Sequence, residues 1–142
     1  MTDPEVTKWL IKAMNDYRTA EKLIRDPAEE IITDTLCFHG EQFVEKVLKA
    51  YLLSQKVDFK RTHNLEYLVK LSAERDPEFE WLDEAAEKLT EYAVEIRYPD
   101  DFYLPSLEEA LEVFEIIKRV KEFVFKKLGI QDSDLKNPVS KG

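Results

Sequence analysis

Apolar residues recur at every third or fourth position along almost the whole chain, which is the period of an amphipathic helix. Five such stretches are separated by Asp-Pro pairs, a polar loop and a proline-bounded segment. They cover about 4–25, 29–55, 62–75, 78–96 and 107–128. The pattern therefore predicts an all-α fold, an up-and-down bundle of four or five helices.

The ends of the first and last helices carry specific signals. Asp3 precedes Pro4, and this pair suits an N-cap followed by the first helical position. Ser106, three residues before Glu109, has the spacing of a capping box. With 3 glycines and 6 prolines in the chain, long helices are favoured over sheets with many turns.

Length and composition fit a single domain. The chain has 142 residues, of which 44% are hydrophobic, enough for one ordinary core. We expect the helical bundle to occupy residues 1–130. The apolar period stops after that point, so residues 131–142 are expected to form a flexible C-terminal tail.

Charge and cysteine content limit the possible functions. A net charge of −9 argues against a broad, nonspecific grip on DNA or RNA, although a small basic pocket remains compatible. Cys37 is the sole cysteine, which excludes an internal disulfide and a cysteine-based zinc site. No long apolar run indicates a signal peptide or a membrane span, so we expect a cytoplasmic protein without a membrane partner. Abundant Glu and Lys resemble the composition of thermophile proteins.

Familiar cofactor and catalytic motifs are missing from the sequence. It contains no phosphate-binding loop, no dinucleotide glycine fingerprint and no Ser or Cys nucleophile motif. Helical di-metal sites use Glu-x-x-His units, but Leu36 and Lys60 stand three residues before the two histidines. We expect neither a metal nor a cofactor.

The segment between the fourth and fifth helices, RYPDDFYLP, is rich in aromatic residues. Pro99 pushes Tyr98 out of helical geometry, so Arg97 falls in the last turn of the fourth helix. Its guanidinium is suited to gripping a phosphate or a carboxylate. It is equally suited to capping helix carbonyls or pairing with Glu95.

A second set of polar residues interrupts the apolar second helix. His39, Gln42 and Glu45 are spaced by three and share one helix face. Such a stripe is either a buried hydrogen-bonded network or the wall of a pocket. His63, between Thr62 and Asn64, is expected to belong to the start of the third helix.

Three sequence segments, in this order, resemble a known family. They are CFHGEQFVEKVLKAYLL, THNLEYLVKL and AVEIRYPDDFY, and the resemblance to the HEPN domain (higher eukaryote and prokaryote nucleotide-binding) extends over about residues 5–128. It implies a helical bundle that forms a symmetric homodimer and associates with a minimal nucleotidyltransferase, often as a toxin–antitoxin pair. Many members are metal-independent ribonucleases that use an arginine followed, after four to six residues, by a histidine.

The family's arginine corresponds to Arg97, but its histidine does not have a counterpart. The matching positions hold Phe102, Tyr103 and Leu104, and Tyr103 is the nearest polar substitute. A phenol with an ordinary pKa of about 10 is a poor general base at neutral pH. Cleavage of RNA is therefore doubtful, whereas an arginine that binds anions is retained.

The leading hypothesis is a nucleotide-binding homodimer, catalytically weak or inactive, that acts with a minimal nucleotidyltransferase. Arg97 would hold phosphate, Tyr98 and Tyr103 would contact base and ribose, and His39, Gln42 and Glu45 would line the wall. One alternative is a ribonuclease with a variant catalytic pair, Arg97 and Tyr103. Another is an interaction-only scaffold, in which the hydroxyl of Tyr103 or Tyr98 also accepts a nucleotidyl group.

Overall fold

The computed structural model of the protein describes residues 3–93 and 104–135. Within these ranges the chain forms five α-helices and no strand, which confirms the predicted all-α class. The helices are α1 (Pro4–Ile24), α2 (Thr33–Ser54), α3 (Leu65–Arg75), α4 (Leu82–Leu89) and α5 (Leu107–Leu128). None of the helices in the described part is long and apolar enough to cross a bilayer.

Helix α2 is the central element, since α1, α3 and α5 all pack against it. Helix α1 runs antiparallel to α2: Asp16 contacts Lys46, whereas the earlier Trp9 lies against the later Lys49. The ring of Tyr17 packs on that of Phe43, with 5.1 Å between their centroids. The α1–α2 interface thus combines aromatic packing with charged side chains.

Close packing of α2 on α5 depends on a glycine. A Cβ atom at Gly40 would lie 2.5 Å from Val113 Cγ1, closer than real contacts allow. On the other side of the core, Phe79 packs on Tyr51 and Phe123 at centroid distances of 4.4 and 4.8 Å. This aromatic group joins the turn before α4 to α2 and α5.

The signals at the helix ends are confirmed. The Asp3 side chain accepts from the Glu5 N–H ahead of α1, and Ser106 and Glu109 form the capping box of α5. Gly129 ends α5 with φ 69°, in the left-handed region that glycine adopts without strain. These interactions are local, which explains why the sequence predicts them.

The predicted start of the second helix is wrong by about one turn. Ala28–Glu30 form a separate 3-10 turn, Ile31 is extended and α2 begins only at Thr33. Ile32, which the predicted range 29–55 places inside the helix, is 52% exposed. It precedes the helix and does not lie on the face that the apolar period assigned to it.

The fourth predicted helix is broken into short pieces within the described residues. A 3-10 turn over Pro77–Trp81 leads into α4, and a second covers Thr90–Tyr92. The Thr90 hydroxyl donates to the Ala86 carbonyl over 2.6 Å in the last turn of α4. The apolar stripe is nevertheless buried as predicted, at Phe79, Leu82, Ala86 and Leu89.

The first residues of the expected tail pack on the bundle. Residues 131–135 form a short turn in which Leu135 is buried and Asp132 pairs with Lys121 of α5 over 2.8 Å. This differs from a flexible segment that begins at residue 131, because one apolar side chain and one ion pair attach the turn to α5. Residues 136–142 lie outside the described residues.

Candidate functional site

The six predicted site residues divide into two groups. Arg97, Tyr98 and Tyr103 lie outside the described residues. His39, Gln42 and Glu45 lie on consecutive turns of α2, as their spacing predicts. The described part of the site is therefore built around α2.

The first polar unit joins α1 to α2. Asp16 of α1 accepts from two side chains of α2: His39 Nδ1 lies 2.7 Å from Oδ1 and Lys46 Nζ lies 2.5 Å from Oδ2. The carboxylate is buried, whereas His39 is 28% exposed. An ionised carboxylate only accepts hydrogen bonds, so we assign the His39 proton to Nδ1, which directs Nε2 away from Asp16.

The second unit has the same composition and joins α2 to the segment before α3. Glu45 Oε2 accepts from Lys49 Nζ and contacts His63 Nδ1, each over 2.9 Å. Glu45 is 2% exposed and the His63 side chain 82% exposed. Lys49 also lies over the Trp9 ring, 5.1 Å from its centroid. A buried carboxylate thus holds an imidazole that faces solvent.

Gln42 connects the second unit to a third carboxyl group. Its Nε2 donates to Glu41 Oε1 over 2.7 Å and to Glu45 Oε1 over 3.5 Å. We call the whole set the α2 polar cluster; it consists of Asp16, His39, Glu41, Gln42, Glu45, Lys46, Lys49 and His63. Of the two interpretations left open by the sequence, a buried network describes its interior, and the imidazoles lie at its accessible edge.

Glu41 differs from the other two carboxylates of the cluster because, among the described residues, no ammonium group is hydrogen-bonded to it. It is 0% exposed, and Oε2 has no hydrogen-bond partner among the described residues. Burial raises the pKa of Glu41 to about 7, against a lowering by the Gln42 hydrogen bond, while Glu45 and Asp16 raise it further. Near neutral pH this carboxyl group therefore holds its proton part of the time.

Similarity to a known protein family extends over all five helices of the described part of the chain. The model of the HEPN domain family matches residues 6–128, from the first turn of α1 to the end of α5. The chain belongs to the HEPN domain family. Comparisons with the curated proteins and with the solved structures gave no match.

In this HEPN chain the cluster is suited to polar recognition and to proton exchange. Each imidazole is oriented by a carboxylate at Nδ1, which leaves Nε2 to face a ligand. Within the described residues, no group of His, Cys, Asp or Glu side chains is placed to hold a metal ion. Burial raises the pKa of the Cys37 thiol to about 12, with smaller contributions from Glu109 and Asp34, so it is not a reactive thiolate.

Sequence reasoning predicted His39, Gln42 and Glu45 and missed the other members of the cluster. Asp16 carried a signal, because it lies on the apolar stripe of α1, three residues after Ala13 and four before Ala20. His63 was expected to belong to a helix start. Asn64 is the N-cap of α3 and accepts from the Tyr67 N–H, whereas the ring of His63 reaches back to α2. No local pattern encodes that contact.

Proposed function

We propose that this HEPN protein is a nucleotide-binding homodimer that acts with a minimal nucleotidyltransferase and is catalytically weak or inactive by itself. The observation that carries the proposal is the α2 polar cluster. Helix α2 carries an imidazole, an amide and a buried carboxyl group whose Oε2 has no hydrogen-bond partner among the described residues, and His63 joins them from the segment before α3 in a largely apolar core. Buried polar groups cost stability unless they are fully satisfied, so a ligand role is a plausible reason to keep them.

The proposed roles follow the chemistry of each group. Arg97 holds phosphate, and Tyr98 and Tyr103 stack on the base or bond to the ribose. His39 and Gln42, both part-buried, line the wall. Glu45, which is almost fully buried, acts through Lys49 and His63 and does not touch the ligand itself.

Weak or absent catalysis follows from the residue at position 103. Family ribonucleases use an imidazole there, which exchanges a proton near neutral pH. A tyrosine hydroxyl with a pKa near 10 remains protonated under the same conditions. Binding of the nucleotide would then persist without efficient cleavage of RNA.

Calorimetry with ATP, GTP and a short oligoribonucleotide tests the binding proposal. We expect measurable heat with at least one of them, and Arg97→Ala should weaken it about 10-fold or more, since charged hydrogen bonds contribute about 1.5–3 kcal/mol. Arg25→Ala is the matched control, because Arg25 is an exposed arginine that pairs only with Glu21 among the described residues. No heat with any of the three ligands would contradict the proposal.

A metal-independent ribonuclease is the second candidate, and the Asp16–His39 pair favours it. An imidazole oriented by a carboxylate is the arrangement used for general bases in nucleophilic catalysis. This candidate predicts that purified protein degrades RNA in EDTA and that Arg97→Ala, Tyr103→Phe and His39→Gln each abolish the activity. Cleavage that persists in all three variants would indicate a contaminating nuclease.

The partner is tested by coexpression with a minimal nucleotidyltransferase encoded beside this chain. We expect the two proteins to copurify, and ATP should then bind to the complex. Copurification without any nucleotide binding would favour the interaction-only scaffold. The intact mass after incubation with ATP shows whether Tyr98 or Tyr103 accepts a nucleotidyl group.

A further inference from the structure

His63 has an unusual combination of exposure and anchoring. Its side chain is 82% exposed, yet its Nδ1 lies 2.9 Å from a carboxylate that is 2% exposed. The ring cannot rotate freely without losing that contact, so Nε2 is presented to solvent in a fixed direction. An exposed histidine on a loop would ordinarily sample many orientations.

Satisfying the buried carboxylate does not by itself explain this contact. Glu45 Oε2 already accepts from Lys49 over 2.9 Å, and Oε1 is within 3.5 Å of Gln42 Nε2. The carboxylate therefore has charged and neutral donors without His63. The imidazole adds a third donor, whose side chain is largely exposed, whereas Gln42 is half-buried and Lys49 is buried.

The segment that leads to His63 is locally basic in an acidic chain. Residues 56–63 contain Lys56, Lys60 and Arg61 against one acid, Asp58, whereas the chain as a whole has a net charge of −9. Within the described part of the chain, neither Lys60 nor Arg61 forms an ion pair with a carboxylate. By contrast the lysines of the cluster, Lys46 and Lys49, are both paired.

We propose that His63, with Arg61 beside it, binds a phosphate group of the nucleotide. The imidazole donates from Nε2–H to a phosphate oxygen, and the buried Glu45 carboxylate stabilises the positive ring through Nδ1–H. Arg61 supplies a second positive charge at the surface. The inference rests on the proposed function and adds a phosphate contact to the one assigned to Arg97.

Calorimetry on two single variants, His63→Gln and Arg61→Gln, tests this contact. We expect His63→Gln to weaken ATP binding about 10-fold, as the loss of one charged hydrogen bond implies, and Arg61→Gln to weaken it several-fold. Adenosine, which lacks phosphate, should bind both variants and the unchanged protein equally weakly. The same titrations with a short oligoribonucleotide show whether the bound phosphate belongs to a free nucleotide or to RNA.

Lys70→Gln is the matched control, because it removes one positive charge from an exposed position on α3. It should leave the affinity for ATP within about twofold, and thermal melting should show that all three variants fold. Unchanged ATP affinity in His63→Gln, or an equal loss in Lys70→Gln, overturns the phosphate contact and leaves the proposed function standing. Failure of the unchanged protein to bind any phosphate-containing ligand overturns both.

Discussion

At the scale of single residues, the three carboxyl groups of the cluster differ in their hydrogen-bond partners. Asp16 and Glu45 each accept from a lysine and contact an imidazole. Within the described part of the chain, Glu41 accepts from the Gln42 amide alone, and burial raises its pKa to about 7. A lysine partner offsets the burial of each of the first two carboxylates, whereas burial makes the charged form of the third costly.

Glu41→Gln should make the stability of the protein less sensitive to pH. Burial raises the folded-state pKa of Glu41 to about 7, above the ordinary value of 4.5 that it has in the unfolded chain. Below pH 4.5 the group is protonated in both states, and its burial costs little. As the pH rises from there to 7, the unfolded state releases its proton first, so stability is lost progressively and the loss is complete above pH 7.

Urea denaturation at pH 5 and pH 8 measures this effect. We compare the free energy of unfolding of Glu41→Gln with that of the unchanged protein at each pH. The difference should favour the variant by about 2–3 kcal/mol more at pH 8 than at pH 5, because one pKa unit corresponds to about 1.4 kcal/mol. Glu66→Gln, at an exposed position of α3, is the control and should show little difference. If the free energies of unfolding of Glu41→Gln and the unchanged protein change equally between the two pH values, the pKa of this carboxyl group is not raised in the folded state.

At the scale of helices, the sequence predicts what is decided locally. The caps at Asp3, Ser106 and Gly129 are recovered because each depends on residues within one turn. The break in the fourth helix is missed because 3-10 and α-helical periods are nearly indistinguishable over five residues. The cluster is predicted only in part because its contacts are distant in sequence: His39 contacts a residue 23 positions away and His63 one 18 positions away.

Gly40→Ala should destabilise the contact between α2 and α5. Alanine improves intrinsic helix propensity by about 1 kcal/mol, but its Cβ would meet Val113 Cγ1 at 2.5 Å in a buried interface. We expect a net loss of about 1 kcal/mol in the free energy of unfolding, since overpacking a core costs about 1–3 kcal/mol and the gain in helix propensity offsets about 1 kcal/mol of it.

The double variant Gly40→Ala/Val113→Ala is the matched control for Gly40→Ala, because it removes the methyl group that the new Cβ would meet. Chemical denaturation should show a positive coupling, with the double variant more stable than the sum of the two single changes predicts. If Gly40→Ala is as stable as the unchanged protein, α2 and α5 can move apart to accommodate the new Cβ atom without loss of stability, which would contradict the prediction.

For the whole molecule, the charge distribution limits what the protein binds. The net charge of −9 disfavours extended nucleic acid, whereas the paired lysines keep the α2 polar cluster close to neutral and residues 56–63 are locally basic. This suits one small anionic ligand at one place. Homodimer formation stays a prediction of the family resemblance, and a sizing measurement that returns a clean monomer would contradict it.

Nuclear magnetic resonance of the histidine side chains tests the central claim, that the α2 polar cluster binds a nucleotide, most directly. The chain has 2 histidines, and both belong to the cluster, so their imidazole nitrogen signals report on it without ambiguity. During titration with ATP, we predict that both rings shift and saturate with the dissociation constant found by calorimetry. Rings that stay unchanged while ATP shifts backbone signals elsewhere would contradict the claim.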